Sequence, residues 1–326
     1  MTVALFVLLA LAVAFDLLNG FHDSSNVVAT VITSGAMRPR VALFTAAAAH
    51  FIAPFVLPLA VATTLGEGML HDQAIQINVV IAGLASAVVW NIITWYLGLP
   101  SSSSHALVGG LLGAAILSSG FGVVRLPGLI KIVIALLISP LLGMAAGWLV
   151  MRLTLWLARS ANPSVNRTFK ILQIVTLLGL AFGHGSNDAQ KTMGVITMGL
   201  LAGGLISSFN VPTWVILISA SAIALGTSLG GWRLIKTLGG RIFRIRPIHG
   251  FTSQIAGAMV IIGASLLGGP VSTTQVMSSA IMGVGAAERL GKVHWLILRD
   301  LAMAWVLTIP TTALLAAGVY LVFWGL

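Results

Sequence analysis

Long apolar runs of about 20 residues follow one another along nearly the whole chain, with short polar stretches between them. A run of this length is sufficient for a helix to cross a lipid bilayer. The pattern predicts ten helical segments, at 3–33, 41–65, 75–98, 105–119, 130–151, 170–206, 211–229, 250–268, 274–286 and 300–324. No stretch between them is long enough for a separate soluble domain. The predicted fold class is therefore an all-α polytopic membrane protein.

Two polar motifs lie inside these apolar runs, and each of them occurs twice. GFHDSSN at 20–26 returns as GSNDAQK at 185–191, and PSSSSH at 100–105 returns as PVSTTQ at 270–275. The offsets are nearly equal, 165 residues for the first motif and 170 for the second. Charged groups and helix-breaking residues are costly inside hydrocarbon, so their return at matching positions indicates a duplicated chain with a shared site.

The basic residues indicate how the two halves, 1–160 and 161–326, are oriented. If 75–119 and 250–286 are re-entrant helical hairpins that turn at their Pro-Ser motifs, each half crosses the membrane three times. An odd number of crossings inverts the second half and gives an inverted-topology repeat. With that topology, 14 of the 17 Lys and Arg residues fall on one side, as expected for the cytoplasmic face. We expect a multi-pass protein of the cell (inner) membrane with both termini outside.

Composition agrees with this interpretation and excludes several other classes. Hydrophobic residues make up 58% of the chain and charged residues 7%, against about 25% charged in soluble domains. The net charge of +10 reflects membrane orientation, with anionic lipid as a second use, and does not indicate nucleic acid binding. The absence of cysteine excludes disulfides, Cys-ligated zinc and thiol chemistry. We expect no cofactor, no resident metal and no enzymatic activity. Residues 1–16 lack a basic flank and a cleavage site, so we expect a retained helix rather than a signal peptide.

The first copy of the motif places four polar residues on one helical face, because they are spaced three, four and three apart: Asp16, Asn19, Asp23 and Asn26. Carboxylate and amide oxygens are hard ligands that suit a small cation or a proton. His22, next to Asp23, can titrate near neutral pH. These residues are candidates for cation or proton coupling, although a buried polar cluster that joins helices is an alternative.

The second copy adds Asn187, Asp188, Gln190 and Lys191 to the candidates for coupling. Asp188 and Lys191 are three residues apart and could pair, which would be a purely structural use of both. Glycines nearby, at 183, 185 and 194, indicate broken helices with unwound backbone, or else backbone that another helix approaches closely.

The Pro-Ser motifs predict an anion site at the hairpin tips. Proline ends one helix, and the hydroxyl residues that follow can cap the next. Two helix N-termini that face each other would form a cradle for a tetrahedral oxyanion. The candidate ligands are the hydroxyl residues of both tips: Ser101, Ser102, Ser103, Ser104, Ser272, Thr273 and Thr274.

With these motifs, the chain resembles the Pit family of inorganic phosphate transporters along nearly its whole length. The resemblance implies phosphate uptake coupled to H⁺ or Na⁺, with phosphate at the hairpin tips and the cation at the Asp and Asn residues. His22 and Lys191 stand where many members have Asn, which favours protons over sodium. Ser103 and Ser104 replace Thr and Gln275 replaces His, which leaves sulfate open as the substrate. The resemblance leaves both a monomer and a homodimer open.

The residues leave two alternatives to a phosphate symporter. A sulfate permease of the same fold would differ in the anion that competes for uptake. A cation channel or exchanger would use the Asp face alone and would not need the hairpin hydroxyls. An intramembrane hydrolase using Ser104 and His105 is disfavoured, because adjacent residues are poorly placed for that geometry. His50 is interpreted as a packing residue, and His184 as a site or packing residue.

Overall fold

The computed structural model describes residues 3–240 and 242–325, and its regular structure there is helical. The described residues form twelve α-helices: α1 (Val3–Thr33), α2 (Pro39–Val56), α3 (Ala60–Gly68), α4 (Ile77–Leu97), α5 (Ser103–Ser119), α6 (Leu126–Leu157), α7 (Val165–Ala202), α8 (Thr213–Leu229), α9 (Trp232–Gly240), α10 (Pro247–Leu266), α11 (Thr273–Glu288) and α12 (Trp295–Trp324). Seven of them, α1, α2, α4, α6, α7, α10 and α12, are long and apolar enough to cross a membrane. The predicted all-α polytopic membrane fold is confirmed.

The predicted single helix at 41–65 is wrong, because the chain leaves the helix at its centre. Helix α2 ends at Val56 and α3 begins at Ala60, with Leu57 extended at φ −89° and ψ 149°. The residue before a proline is disfavoured in helical conformation, and Pro58 follows Leu57 directly. The sequence contained this signal, but the apolar run concealed it.

The stretch at 230–249, which lies between two of the predicted helical segments, contains the short helix α9. Helix α8 bends by 69° into α9, and Gly230 at the break has a positive φ of 74° that other residues rarely adopt. Leu234 and Leu238 of α9 are buried, while Arg233 and Lys236 are exposed. The apolar side of α9 packs against α1, as α8 does. The two helices are therefore both packed on α1 and are separated only by Gly230 and Gly231.

The two motif helices, α1 and α7, are continuous, so of the two alternatives left open by the glycines near the second motif, unwound backbone is wrong and close approach is confirmed. The broken helices of this fold are instead α2 with α3 and α8 with α9. The motif glycines serve close approach: a Cβ at Gly185 would lie 2.5 Å from the Cα of His50, and one at Gly194 would lie 2.7 Å from the carbonyl oxygen of Ala62.

Helices of the first half pack mainly on helices of the second half. Helix α1 packs on α8 and α9, as α7 packs on α2 and α3. Helix α11 packs on α6, as α5 packs on α12. Each pairing therefore has a counterpart when α1–α6 are exchanged with α7–α12. The division near residue 160 falls between α6 and α7. That division and the inversion of the second half stay predictions.

Candidate functional site

The two hairpin tips meet in the centre of the protein. All nine side chains at 101–105 and 272–275 are at most 4% exposed. The Ser104 hydroxyl donates to the carbonyl oxygen of Val271 at 3.2 Å, and Gln275 Nε2 lies 3.5 Å from His105 Nε2. Helices α4 and α10, with 21 and 20 residues, are long enough to cross a bilayer. Tips that lie buried against each other nevertheless favour hairpins that turn inside the protein.

Each tip starts a helix with a serine cap. The Ser102 hydroxyl accepts from the backbone N–H of His105 at 3.2 Å, and Ser272 accepts from the N–H of Gln275 at 3.3 Å. Because α5 and α11 both begin here, their first-turn N–H groups and the positive ends of their dipoles are at the tips. This arrangement gives the centre of the protein two neighbouring sites of positive potential.

The tip hydroxyls have different surroundings. Ser101 donates to the hydroxyl of Thr94 in the arm of its own hairpin, at 2.9 Å, so its hydroxyl is already used. Ser104 links the two tips through Val271. Ser103 is buried, and its hydroxyl has no hydrogen-bond partner among the described residues. Of the serines in the first tip, Ser103 is therefore the one with a hydroxyl free to bind a ligand.

Both motif aspartates converge on the tip of the second hairpin. The Thr273 hydroxyl lies 3.1 Å from Asp188 Oδ2 and 3.4 Å from Asp23 Oδ2. Thr274 donates to Asp23 Oδ1 at 3.1 Å and accepts from Asn26 Nδ2 at 3.0 Å. The two copies of the motif thus form one site rather than two.

Lys191 connects the second motif to both tips. Its ammonium group donates to Asp188 Oδ1 at 2.5 Å, to Ser104 Oγ at 2.6 Å and to the carbonyl oxygen of Val271 at 2.9 Å. These three bonds use all three N–H donors of the ammonium group. The side chain is 1% exposed, so the predicted Asp188–Lys191 pair exists and also holds the hairpins.

Each of these aspartates has a histidine beside it. His22 Nδ1 lies 2.8 Å from Asp23 Oδ1, and His184 Nε2 lies 3.4 Å from Asp188 Oδ2. The His50 ring stacks on His184 with centroids 5.0 Å apart. The structure therefore places His184 in the site and His50 against it as a packing partner. The first motif repeats with an offset of 165 residues, and the same offset aligns His184 with Asn19. This alignment is the sequence signal that could have placed His184 in the site.

One group of acidic and imidazole side chains has the geometry to hold a cation. One ligand atom each from Asp23, His184 and Asp188 lies within 4.8 Å of the others, and all three residues are buried. Carboxylate oxygens suit a small hard cation, and a carboxyl or imidazole can carry a proton instead.

Asp16 and Asn19 are buried on the same face of α1, and among the described residues no hydrogen bond joins their side chains to the hairpin tips. Asp16 Oδ1 accepts from the Thr192 hydroxyl at 2.5 Å, a contact that sequence spacing could not reveal. Asp16 Oδ2 and both polar side-chain atoms of Asn19 have no hydrogen-bond partner within 3–240 and 242–325. This pair is available to water, a proton or a cation.

Asn187 and Gln190 donate hydrogen bonds to groups other than the aspartates, and their role in coupling stays a prediction. Asn187 Nδ2 donates to the Ser265 hydroxyl at 2.8 Å. Gln190 Nε2 donates to the carbonyl oxygen of Pro58 at 2.9 Å, and its Oε1 accepts from the N–H of Val61 at 3.0 Å. Gln190 therefore satisfies the backbone groups exposed where α2 breaks into α3.

The phosphate transporter family accounts for nearly the whole chain: its model matches residues 19–316. The chain belongs to this family. The probable low-affinity inorganic phosphate transporter of Rhizobium meliloti (strain 1021) is 43% identical over 315 residues, which are 96% of this chain and 94% of the relative. The protein of the same name from Bacillus subtilis (strain 168) is 42% identical over 315 residues, which are 95% of this chain and 94% of that relative.

A solved structure, "The sodium-dependent phosphate transporter", has the same fold. It matches with a TM-score of 0.89 over 98% of this chain and 99% of that one, at 22% identity. The expected resemblance to inorganic phosphate transporters is confirmed. As a member of this family with many apolar helices, the protein is a multi-pass membrane transporter and not an enzyme.

Proposed function

We propose that this protein takes up inorganic phosphate across the cell membrane by symport with a cation, and that phosphate binds between the two hairpin tips. The observation that carries this proposal is the meeting of two helix N-termini with Lys191 and the unpartnered Ser103 hydroxyl. Helix N-termini, hydroxyl donors and an ammonium group are the ordinary protein ligands of phosphate. The binding roles of Ser102, Ser103, Ser104, Ser272, Thr273 and Thr274 are part of the proposal. Ser101 contributes to the tip through Thr94.

The charge balance of the buried centre supports coupling to a cation. Asp16, Asp23 and Asp188 are buried there with a single lysine, Lys191. Phosphate adds about one and a half to two further negative charges. Burial of uncompensated charge is costly, so protons or cations that enter with phosphate would lower the free energy of the loaded state. This balance is the physical basis of symport.

Protons are favoured over sodium as the coupling ion. The Lys191 ammonium lies between Asp188 and the first tip, where a cation would otherwise bridge the same two groups. His22 and His184 stand beside the aspartates, and an imidazole nitrogen can donate or accept a proton. His22, Asp23, Asn26, Asp188 and Lys191 are the proposed coupling residues, with Asp16 and Asn19 as a neighbouring polar pair.

Uptake of labelled phosphate into proteoliposomes tests the proposal. We expect accumulation when an inward proton gradient is imposed. We expect little accumulation when an inward sodium gradient is imposed instead. Absence of accumulation under both gradients would overturn the proposal.

Sulfate is the alternative substrate, and an excess of unlabelled sulfate in the same assay decides between the two anions. A cation channel or exchanger is the alternative from another class. If that alternative were correct, the double variant Ser103→Ala with Thr273→Ala would keep its cation flux. For a symporter, phosphate binding and the coupled flux are lost together.

A further inference from the structure

A basic cavity lies at the opposite end of the second hairpin from its tip. It has a volume of about 580 Å³ and lies between the start of α10 and the segment after α11. Its lining includes Arg244, Arg246, His249 and Lys292, with Phe243 among them. This volume is in the range of ordinary small-molecule sites. The phosphate site proposed above does not use any of these residues.

Glu288, the last residue of α11, already gathers several of these cationic groups. Its carboxylate accepts from Arg246, from His249 Nε2 at 2.9 Å and from Lys292 Nζ at 3.1 Å. Burial acts to raise the pKa of Glu288, but the hydrogen bonds from Lys292 and Arg246 outweigh it and lower that pKa to about 2. Glu288 is therefore an anion at neutral pH. Its three bonds show that Arg246, His249 and Lys292 all point at one acceptor.

His249 supplies a buried and oriented N–H donor to this group. The backbone N–H of Arg246 donates to His249 Nδ1 at 3.0 Å, so Nδ1 is an acceptor and the ring proton is on Nε2. The edge of the Phe243 ring packs on the imidazole with centroids 4.9 Å apart, which fixes its orientation. His249 is 2% exposed, and its Nε2–H points at the Glu288 carboxylate.

The cationic groups exceed the charge that Glu288 can neutralise. Arg244, Arg246 and Lys292 carry three positive charges around the cavity, and Glu288 carries one negative charge. Orientation in the membrane explains an excess of Lys and Arg on this side of the protein. It does not explain why an arginine, a lysine and a buried imidazole N–H share one acceptor at the edge of a cavity. A built anion site does explain it.

We propose that this cavity binds a phosphate-bearing anion, which takes the place of Glu288 as acceptor for Arg246, Lys292 and His249. A phosphate group offers more acceptor oxygens than a carboxylate and forms charge-assisted bonds with arginine and lysine. The group has two possible sources on this face: the headgroup of an anionic phospholipid or a soluble phosphate compound. Both have the same chemistry, and experiment separates them.

Occupancy of this site would regulate transport through the hairpin. The anion joins the first turn of α10 to the residues that follow α11, so it fixes the base of the hairpin whose tip carries Thr273. A hairpin held at its base would move less at its tip, and we expect slower transport when the cavity is filled. The binding itself does not depend on the transport mechanism, so it can be tested separately.

Native mass spectrometry of the full chain in detergent tests the proposal with two probes. One arm titrates dioctanoyl phosphatidylglycerol, with dioctanoyl phosphatidylcholine as the neutral comparison, and the other titrates pyrophosphate. We expect tight binding in one arm, reduced by about tenfold or more in Arg246→Gln with Lys292→Gln. Binding only in the first arm identifies a lipid headgroup, and binding only in the second identifies a soluble phosphate compound.

Two further variants keep the proposal open to refutation. Glu288→Gln removes the competing carboxylate and should tighten binding, whereas a purely structural Glu288 would give weaker binding or none. Arg299→Gln is the matched control, because Arg299 is exposed and pairs only weakly with Asp300 at 3.4 Å. No binding of either probe, equal losses in the control, or weaker binding in Glu288→Gln would overturn the proposal.

Discussion

The ammonium group of Lys191 in α7 donates a hydrogen bond of 2.6 Å to the hydroxyl of Ser104 at the tip of the first hairpin. The second hairpin has the counterpart of this contact, because Asn26 in α1 donates to Thr274 at 3.0 Å. Each motif helix therefore holds the hairpin tip of the other half. The central site forms only when the two halves are packed together.

Lys191→Met should impair both folding and transport. The change leaves Asp188 buried without its cationic partner, and loss of one member of a buried pair costs roughly 3–5 kcal/mol. We expect a lower thermal unfolding temperature in detergent and no phosphate uptake. The double variant Asp188→Asn with Lys191→Met should recover stability but not uptake. Normal uptake by the single variant would contradict a central role for the lysine.

Ser103→Ala should weaken phosphate binding by about tenfold, the size of one lost hydrogen bond to a charged ligand. Stability should change little, because this hydroxyl has no partner in the part of the chain that the structure describes. Isothermal titration calorimetry of the purified protein with phosphate measures the affinity. Ser118→Ala, at the far end of the same helix, is the control, since Ser118 donates to the carbonyl oxygen of Ala115. Equal affinities for the two variants would count against binding at the first tip.

Gly185→Ala should destabilise the protein by about 1–3 kcal/mol through overpacking. The added Cβ would lie 2.5 Å from the backbone Cα of His50, which cannot move aside without shifting α2. The control is Gly179→Ala in the same helix, where a Cβ would meet no atom of another described helix within 4 Å. That change should be neutral or slightly stabilising, because alanine favours helix. Thermal unfolding monitored by tryptophan fluorescence compares them, and equal losses would refute the close approach.

The predicted orientation can be tested with single cysteines, because the chain has none of its own. Ser160→Cys and Gly122→Cys place a thiol at exposed positions on the predicted inner and outer sides. In intact cells, a membrane-impermeant maleimide should label position 122 and spare position 160 until the cells are opened. The reverse pattern would place both termini inside, and labelling of both would refute the proposed topology.

The sequence predicted the helices well because bilayer burial leaves a strong local signal in runs of apolar residues. It also predicted the Asp188–Lys191 pair, since a spacing of three is decided within one helix. The break at Leu57 was hidden by its apolar neighbours, and α9 by its high charge. The glycines near the second motif left unwound backbone and close approach both open, and only the packing of α7 decided for close approach, at Gly185 and Gly194.

The long apolar runs and the duplicated motifs can be read directly from the sequence. They determined that this chain is a helical membrane protein with one polar centre. Only the tertiary structure decided which polar groups share that centre. Gln190 bonds to Pro58 across 132 residues and to Val61 across 129, at the break between α2 and α3, while Thr273 reaches Asp23 across 250 residues. Partners at such separations are chosen by how whole helices pack, because the packing decides which donors and acceptors a buried polar group can reach.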